Sequence, residues 1–141
     1  MSRQIIEQYI NEKLPNVTKV ENFGYSFFLY DTEKMLPFVT FAASDNEYDS
    51  VSNLNRDGVF RVNIGISKGS YTKLFPGNKT DWDYTELNQF MPHPDYAAQH
   101  FICVLNPESN TLSETLNFIE EAYFIAKSRF EKKQASKMRN A

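Results

Sequence analysis

Val59-Phe60-Arg61-Val62-Asn63-Ile64-Gly65-Ile66 is the stretch that decides the fold. From Phe60 onward its apolar residues recur at every second position, the period of a β-strand. Phe60, Val62, Ile64 and Ile66 share one face, and Arg61, Asn63 and Gly65 share the other. The apolar face demands a core. The polar face has two readings. If a second layer covers it, Arg61 and Asn63 must be hydrogen-bonded partners or pocket lining, because buried polar groups need partners. If water covers it, they are ordinary surface.

Upstream, Ile5, Ile6, Tyr9 and Ile10 in residues 3–13 recur on one helical face, and Ser2 can cap that helix. Pro15 ends it, since proline donates no N–H and disfavours a helical residue before it. Val17 to Glu21 reads as a short extended segment, Asn22-Phe23-Gly24 as a turn, and Tyr25 to Tyr30 as a strand of strand-forming residues. After a polar break at Asp31-Thr32-Glu33-Lys34, Leu36 to Ala43 returns as a second strand paired with the first. Pro37 then belongs at that strand's start or on an edge. Residues 44–57 read as a polar loop or a short surface helix.

Downstream, Ser67 to Phe75 predicts one or two helical turns with Tyr71, Leu74 and Phe75 inward, followed by a turn at Pro76-Gly77-Asn78-Lys79. Asp83-Tyr84-Thr85-Glu86 has the form of a capping box and predicts a short helix through Met91, stopped at Pro92-His93-Pro94. Residues 100–105 predict another apolar strand. Thr111-Leu112-Ser113-Glu114 is a second capping box. Behind it Leu112, Leu116, Ile119, Tyr123, Ala126 and Phe130 recur at helical spacing. Strands come in a run instead of alternating with helices. The expected class is therefore α+β: an antiparallel sheet flanked by an N-terminal helix and a long C-terminal helix.

The chain has 141 residues, the usual size of one domain, with enough aromatic mass for a core: 15% aromatic residues. Residues 1–130 are expected to form one α+β domain, and residues 131–141 a basic tail that is a helix end or disordered. From Lys127 onward there are six basic residues and one acid, so this end carries +5 and the remainder −8. A solvated helix end, where cations suit the carbonyl dipole, explains the run; an arm for nucleic acid or an acidic partner is the alternative. The net charge of −3 disfavours general nucleic-acid binding. The single cysteine, Cys103, excludes an intrachain disulfide and a Cys-based metal site, and its apolar neighbours make it a small buried hydrophobe. No long apolar run suggests a signal peptide or a membrane span, which leaves the cytoplasm as the expected location.

Phosphate-loop, dinucleotide, nucleophile-elbow and zinc-protease motifs do not occur, so the sequence implies no cofactor, no metal and no assigned catalytic residue. The segment most worth testing is Met91-Pro92-His93-Pro94-Asp95-Tyr96. Two prolines stiffen the backbone around His93. His93 and Tyr96 can line a cleft, with His93 carrying a proton or donating to a ligand; otherwise the segment is a structural connection whose histidine caps a neighbouring carbonyl. Trp82 is either an exposed aromatic at a binding rim or a lid over the short helix expected after it. His100 reads as a strand-end residue. The binding candidates are thus His93, Tyr96, Arg61, Asn63 and Trp82.

Three stretches carry a family resemblance: Val59 to Gly65, Phe90 to Ala97, and Phe101 to Pro107, with Asp45-Asn46-Glu47-Tyr48-Asp49 upstream. Over about Ile5 to Phe130 the chain resembles a bacterial family of unknown function, which implies no activity. More remotely, its second half is similar to the MmcQ/YjbR-like proteins of double-wing fold. The shared layout is a proline-bearing loop, a strand, a polar turn and a long helix with an Ala-Tyr pair, here Ala122-Tyr123. Phe101 stands where a tryptophan commonly begins the late strand in that group. Three functions follow as expectations. The first is a non-catalytic domain binding a small molecule or protein through the His93–Tyr96 loop and the Arg61/Asn63 face. The second is an enzyme using His93 as general acid–base with Asp45, Glu47 or Asp49. The third is nucleic-acid binding through the basic tail. The chain is expected to be a monomer or weak dimer, without membrane attachment.

Overall fold

The protein is described here from a computed structural model covering residues 2–32 and 36–139; positions 33 and 34 of the predicted polar break, and the last two residues of the tail, lie outside the described residues. Helix α1 (Ser2–Lys13) is followed by β1 (Val17–Asn22), β2 (Tyr25–Tyr30), β3 (Val39–Ala42) and β4 (Arg61–Gly65). Next come α2 (Lys68–Leu74), β5 (Met91–Pro92), a 3-10 turn at Ala97–Gln99, β6 (Phe101–Leu105) and the long α3 (Ser109–Arg139). The strands form one antiparallel sheet in the order β1-β2-β3-β4-β6-β5. The α+β class, the antiparallel sheet and the two flanking helices match the expectation.

Local chemistry explains the boundaries. Leu14 N–H closes the last turn of α1 on Ile10 O, and Asn16 takes a left-handed φ of 64° beyond Pro15. Asn22 pairs with Tyr25, so Phe23 and Gly24, at φ 53° and 81°, form the two-residue turn that matches strand twist. Pro37 precedes β3 and leaves its ladder intact. Ser67 caps α2 by accepting from Ser70 N–H at 3.1 Å.

One face of the sheet packs under α1 and α3. Phe28, Val39, Phe41, Val62, Ile64, Ile102 and Val104 meet Ile6, Ile10, Ile119, Ala122 and Tyr123 there. Burying each large apolar side chain contributes about 1.5–3 kcal/mol, and this layer fixes the sheet. Ile5, placed by spacing on the buried face of α1, is instead 48% exposed, because the buried stripe runs through Ile6 and Ile10.

Among the described residues no α-helix covers the opposite face. Irregular chain lies over it, burying Leu54 with Ala42, Met91, Cys103 and Leu105. Residues 44–57 are therefore a cover and not a surface excursion. Asp45 Oδ1 accepts from Leu54 N–H at 2.8 Å, Asn55 Oδ1 accepts from Asp45 N–H at 3.1 Å, and Arg56 donates to Ser52 O and Thr85 O.

The helix expected from Asp83 to Met91 does not form. Asp83 Oδ1 accepts from Thr85 N–H and from the Thr85 hydroxyl, closing a turn two residues on where a capping box would need Glu86. Met91 and Pro92 pair with Cys103 and Ile102 as a short edge strand, a position where proline is tolerated. Helix α3 starts at Ser109, ahead of the predicted capping box, and Thr111 O instead accepts from the Thr115 hydroxyl within it. The same helix continues to Arg139, so the described part of the basic tail is helix, and residues 131–139 are exposed throughout.

Candidate functional site

Arg61 opens β4 on the loop-covered face and is fully buried there. A guanidinium without partners would be very costly at such a position. Its Nη1 donates to Asp49 Oδ1 at 3.1 Å and to Ser52 Oγ at 3.0 Å, its Nη2 donates to Asp49 Oδ2, and its Nε donates to Asn63 Oδ1 at 3.0 Å. Asp49 is thus held bidentately. The Tyr25 hydroxyl also donates to Asp49 Oδ2 at 2.9 Å and accepts from Asn46 Nδ2 at 2.9 Å. Burial alone would raise the Asp49 carboxyl, but the Arg61 guanidinium and the Tyr25 hydroxyl outweigh it and hold it below the ordinary carboxylate value. Burial would likewise lower Arg61; the bond to Asp49 and its negative charge keep it raised.

His93 is buried beside this network. Its Nδ1 accepts from the backbone N–H groups of Asp95 at 3.0 Å and Tyr96 at 3.1 Å. That is the reverse of the carbonyl cap expected. It fixes the tautomer with the proton on Nε2. Burial, with the nearby Arg61 charge adding and Asp49 opposing, pushes the imidazole down to about 4, so it is neutral at physiological pH. Tyr96 packs its ring 5.0 Å from the imidazole and stays 56% exposed.

These residues line a pocket of about 560 Å³, within the usual range for small-molecule sites. Its floor is built from cross-strand neighbours: Phe27 opposite Thr40, and Thr40 opposite Asn63. Tyr25, Tyr48, Tyr96 and Phe101 make the walls aromatic, with Leu36 and Pro37 completing them. A smaller cavity of about 250 Å³ lies against α3 and shares Leu36, Pro37, Gln99 and Phe101 with the first.

Four of the five sequence candidates, His93, Tyr96, Arg61 and Asn63, come together in the larger pocket. Trp82 does not line it. Its ring packs edge-on against Phe75 just beyond α2 at 5.4 Å, its Nε1 donates to Lys79 O, and Lys79 Nζ sits 4.9 Å from the ring. The helix it was to cover is absent. Of the acids weighed as partners, Asp45 is occupied in holding the loop, and Asp49 reaches the site. Tyr25, Phe27, Ser52 and Tyr48 join the site without a sequence motif that points to them. Nothing in a strand-forming run or a polar loop signals which side chains will face Arg61. Cys103 is buried, and burial raises its thiol to about 12, as befits an inert hydrophobe. Among the described residues no group of three His, Cys, Asp or Glu side chains could hold a metal ion, and no helix is long and apolar enough to cross a membrane.

Among the described residues, fold and site together define an α+β protein with one six-stranded sheet, α1 and α3 on one face, and a polar-floored aromatic pocket on the other. The chain belongs to a family of unknown function, DUF6194, whose model matches residues 1–135. No curated protein and no solved structure matches it.

Proposed function

We propose that this protein is a non-catalytic binding domain for a small molecule, held in the pocket over Arg61 and Asn63. One observation carries the reading. A buried Arg61–Asp49 pair, with a partner on each guanidinium nitrogen and each carboxylate oxygen, forms the floor of a roomy aromatic pocket, where a continuous apolar core would have been simpler to build. Aromatic walls supply binding area and the polar floor supplies orientation. The geometry of His93 favours binding over acid–base catalysis: Nδ1 already accepts two backbone N–H groups, so protonating it would break the turn. Nucleic-acid binding through α3 gains no further support, since the exposed basic helix end stands against a chain of net charge −3.

The finer kinship belongs to the same reading. A proline-bearing loop, β6, the Asn106-Pro107 turn and α3 with Ala122-Tyr123 follow the MmcQ/YjbR-like order, and bacterial origin goes with the family resemblance. A lone buried thiol suits the cytoplasm, and a monomer or weak dimer suits a pocket that one chain completes.

The test is a thermal-shift screen of uncharged and charged aromatic fragments against the wild-type protein and Tyr96→Ala. Tyr96 is half-exposed, so its truncation leaves the core intact. A ligand at a hundred times its Kd should stabilise the protein by about 2.7 kcal/mol, and Tyr96→Ala should reduce that gain. Equal stabilisation of both proteins would move the site elsewhere.

A further inference from the structure

The floor of the pocket has a polarity that specifies its occupant. Both oxygens of Asp49 accept from Arg61, and one also accepts from Tyr25. Asn63 Oδ1 accepts from Arg61 Nε, which fixes the amide orientation and turns Nδ2 away from the guanidinium. His93 Nδ1 accepts from two backbone N–H groups. Among the groups that remain is a pair of buried donors. Among the described residues neither Asn63 Nδ2 nor His93 Nε2–H has a protein acceptor, and neither is sealed from the pocket that both residues line. Thr40, whose hydroxyl can rotate to donate or accept, completes the buried polar lining.

Charge narrows the class further. The Arg61 cation is compensated by Asp49, so it offers no net charge to a ligand. The other ionised lining group is the exposed Asp95, which repels an anion. A cation is favoured by Asp95 at the rim but would bring only donors to a floor that already presents donors. The walls are rings.

We infer that the occupant is an uncharged planar aromatic molecule whose carbonyl-type acceptor is received by Asn63 Nδ2 and His93 Nε2–H. This rests on the reading of the pocket as a binding site and names its ligand class.

The test titrates three matched bicyclic probes into the isotope-labelled full chain: coumarin (a neutral carbonyl), 2-naphthoate (an anion) and 2-naphthylmethylamine (a cation at neutral pH). Coumarin should bind at least about tenfold more tightly than either charged probe and should shift the Asn63 side-chain amide signals. His93→Asn tests the second donor. An asparagine oxygen can accept the backbone N–H two residues on, so the turn survives while the Nε2–H donor is lost. This variant should still fold cooperatively, with a somewhat lower Tm, and bind coumarin about tenfold more weakly. If a charged probe binds as tightly as coumarin, with Tyr96 and Phe101 signals moving, the ligand class is overturned and the pocket remains a binding site. If His93→Asn folds normally and binds coumarin unchanged, the two-donor recognition is overturned. If none of the three probes moves any signal of the pocket residues, the ligand class and the binding-site reading fall together.

Discussion

Arg61 and Asp49 stabilise each other because neither can be left alone at the base of the pocket. Arg61→Met should cost about 3–5 kcal/mol by chemical denaturation, since it strands a carboxylate whose side chain is only 12% exposed. Adding Asp49→Leu should recover part of that loss, so the double variant should be more stable than Arg61→Met alone. His93 makes a separate, pH-dependent contribution. Its folded pKa is lowered from 6.5 to about 4, so the unfolded chain binds the proton more readily. The neutral imidazole's stabilisation is therefore complete above pH 6.5 and is lost as pH falls toward about 4. The loss amounts to about 3 kcal/mol at the acid end of that window. Denaturation midpoints measured from neutral pH to pH 4 should show this decline, and His93→Asn should flatten it; an unchanged slope would contradict the burial of a neutral ring. At this scale the sequence exposed the residues and hid their partners. Arg61 and Asn63 stood out by interrupting an apolar strand, whereas Asp49 was one of several acids in a polar run.

Elements differ in how locally they are decided. The hairpin of β1 and β2 turns through Phe23, which takes a left-handed φ of 53° while 85% exposed. A bulky, exposed ring gains nothing there, and Asn adopts that conformation more readily, so Phe23→Asn should raise stability by about 0.5–1 kcal/mol. Gly65 at the end of β4 answers to packing. A Cβ there would lie 2.8 Å from the Phe101 ring, which walls both cavities. Gly65→Ala should cost about 1–3 kcal/mol and weaken pocket binding by displacing that ring, measured by denaturation and by titration of the same probes. Strand β4 and helix α3 were legible because their apolar periods extend over many residues. The segment from Asp83 to Met91 carries a capping-box pattern, which states only that a helix could start. Asp83 satisfied its oxygen on Thr85, and β6 offered Met91 and Pro92 an edge to pair with.

Across the whole molecule, the two sheet faces divide the work. Helices α1 and α3 make the apolar layer that holds the sheet, and irregular chain covers the polar face where the pocket lies. Beyond Phe130, whose ring packs 5.3 Å from Tyr30, the rest of α3 through Arg139 is exposed. A chain ending at Phe130 should therefore keep its stability within about 0.5 kcal/mol, and a larger loss in thermal unfolding would reveal a contact made by the basic end. The sequence by itself determined that β4 has one apolar and one polar face, that two long helical stripes exist to cover a sheet, and that Cys103 is buried. Those properties follow from side-chain period and composition, which are local. Only the tertiary structure decided that loop chain covers the polar face, that Asp49 answers Arg61 across twelve residues, and that His93 turns its nitrogen to its own backbone. Such pairings depend on which segments meet in space, and a buried charge accepts whichever partner the fold delivers.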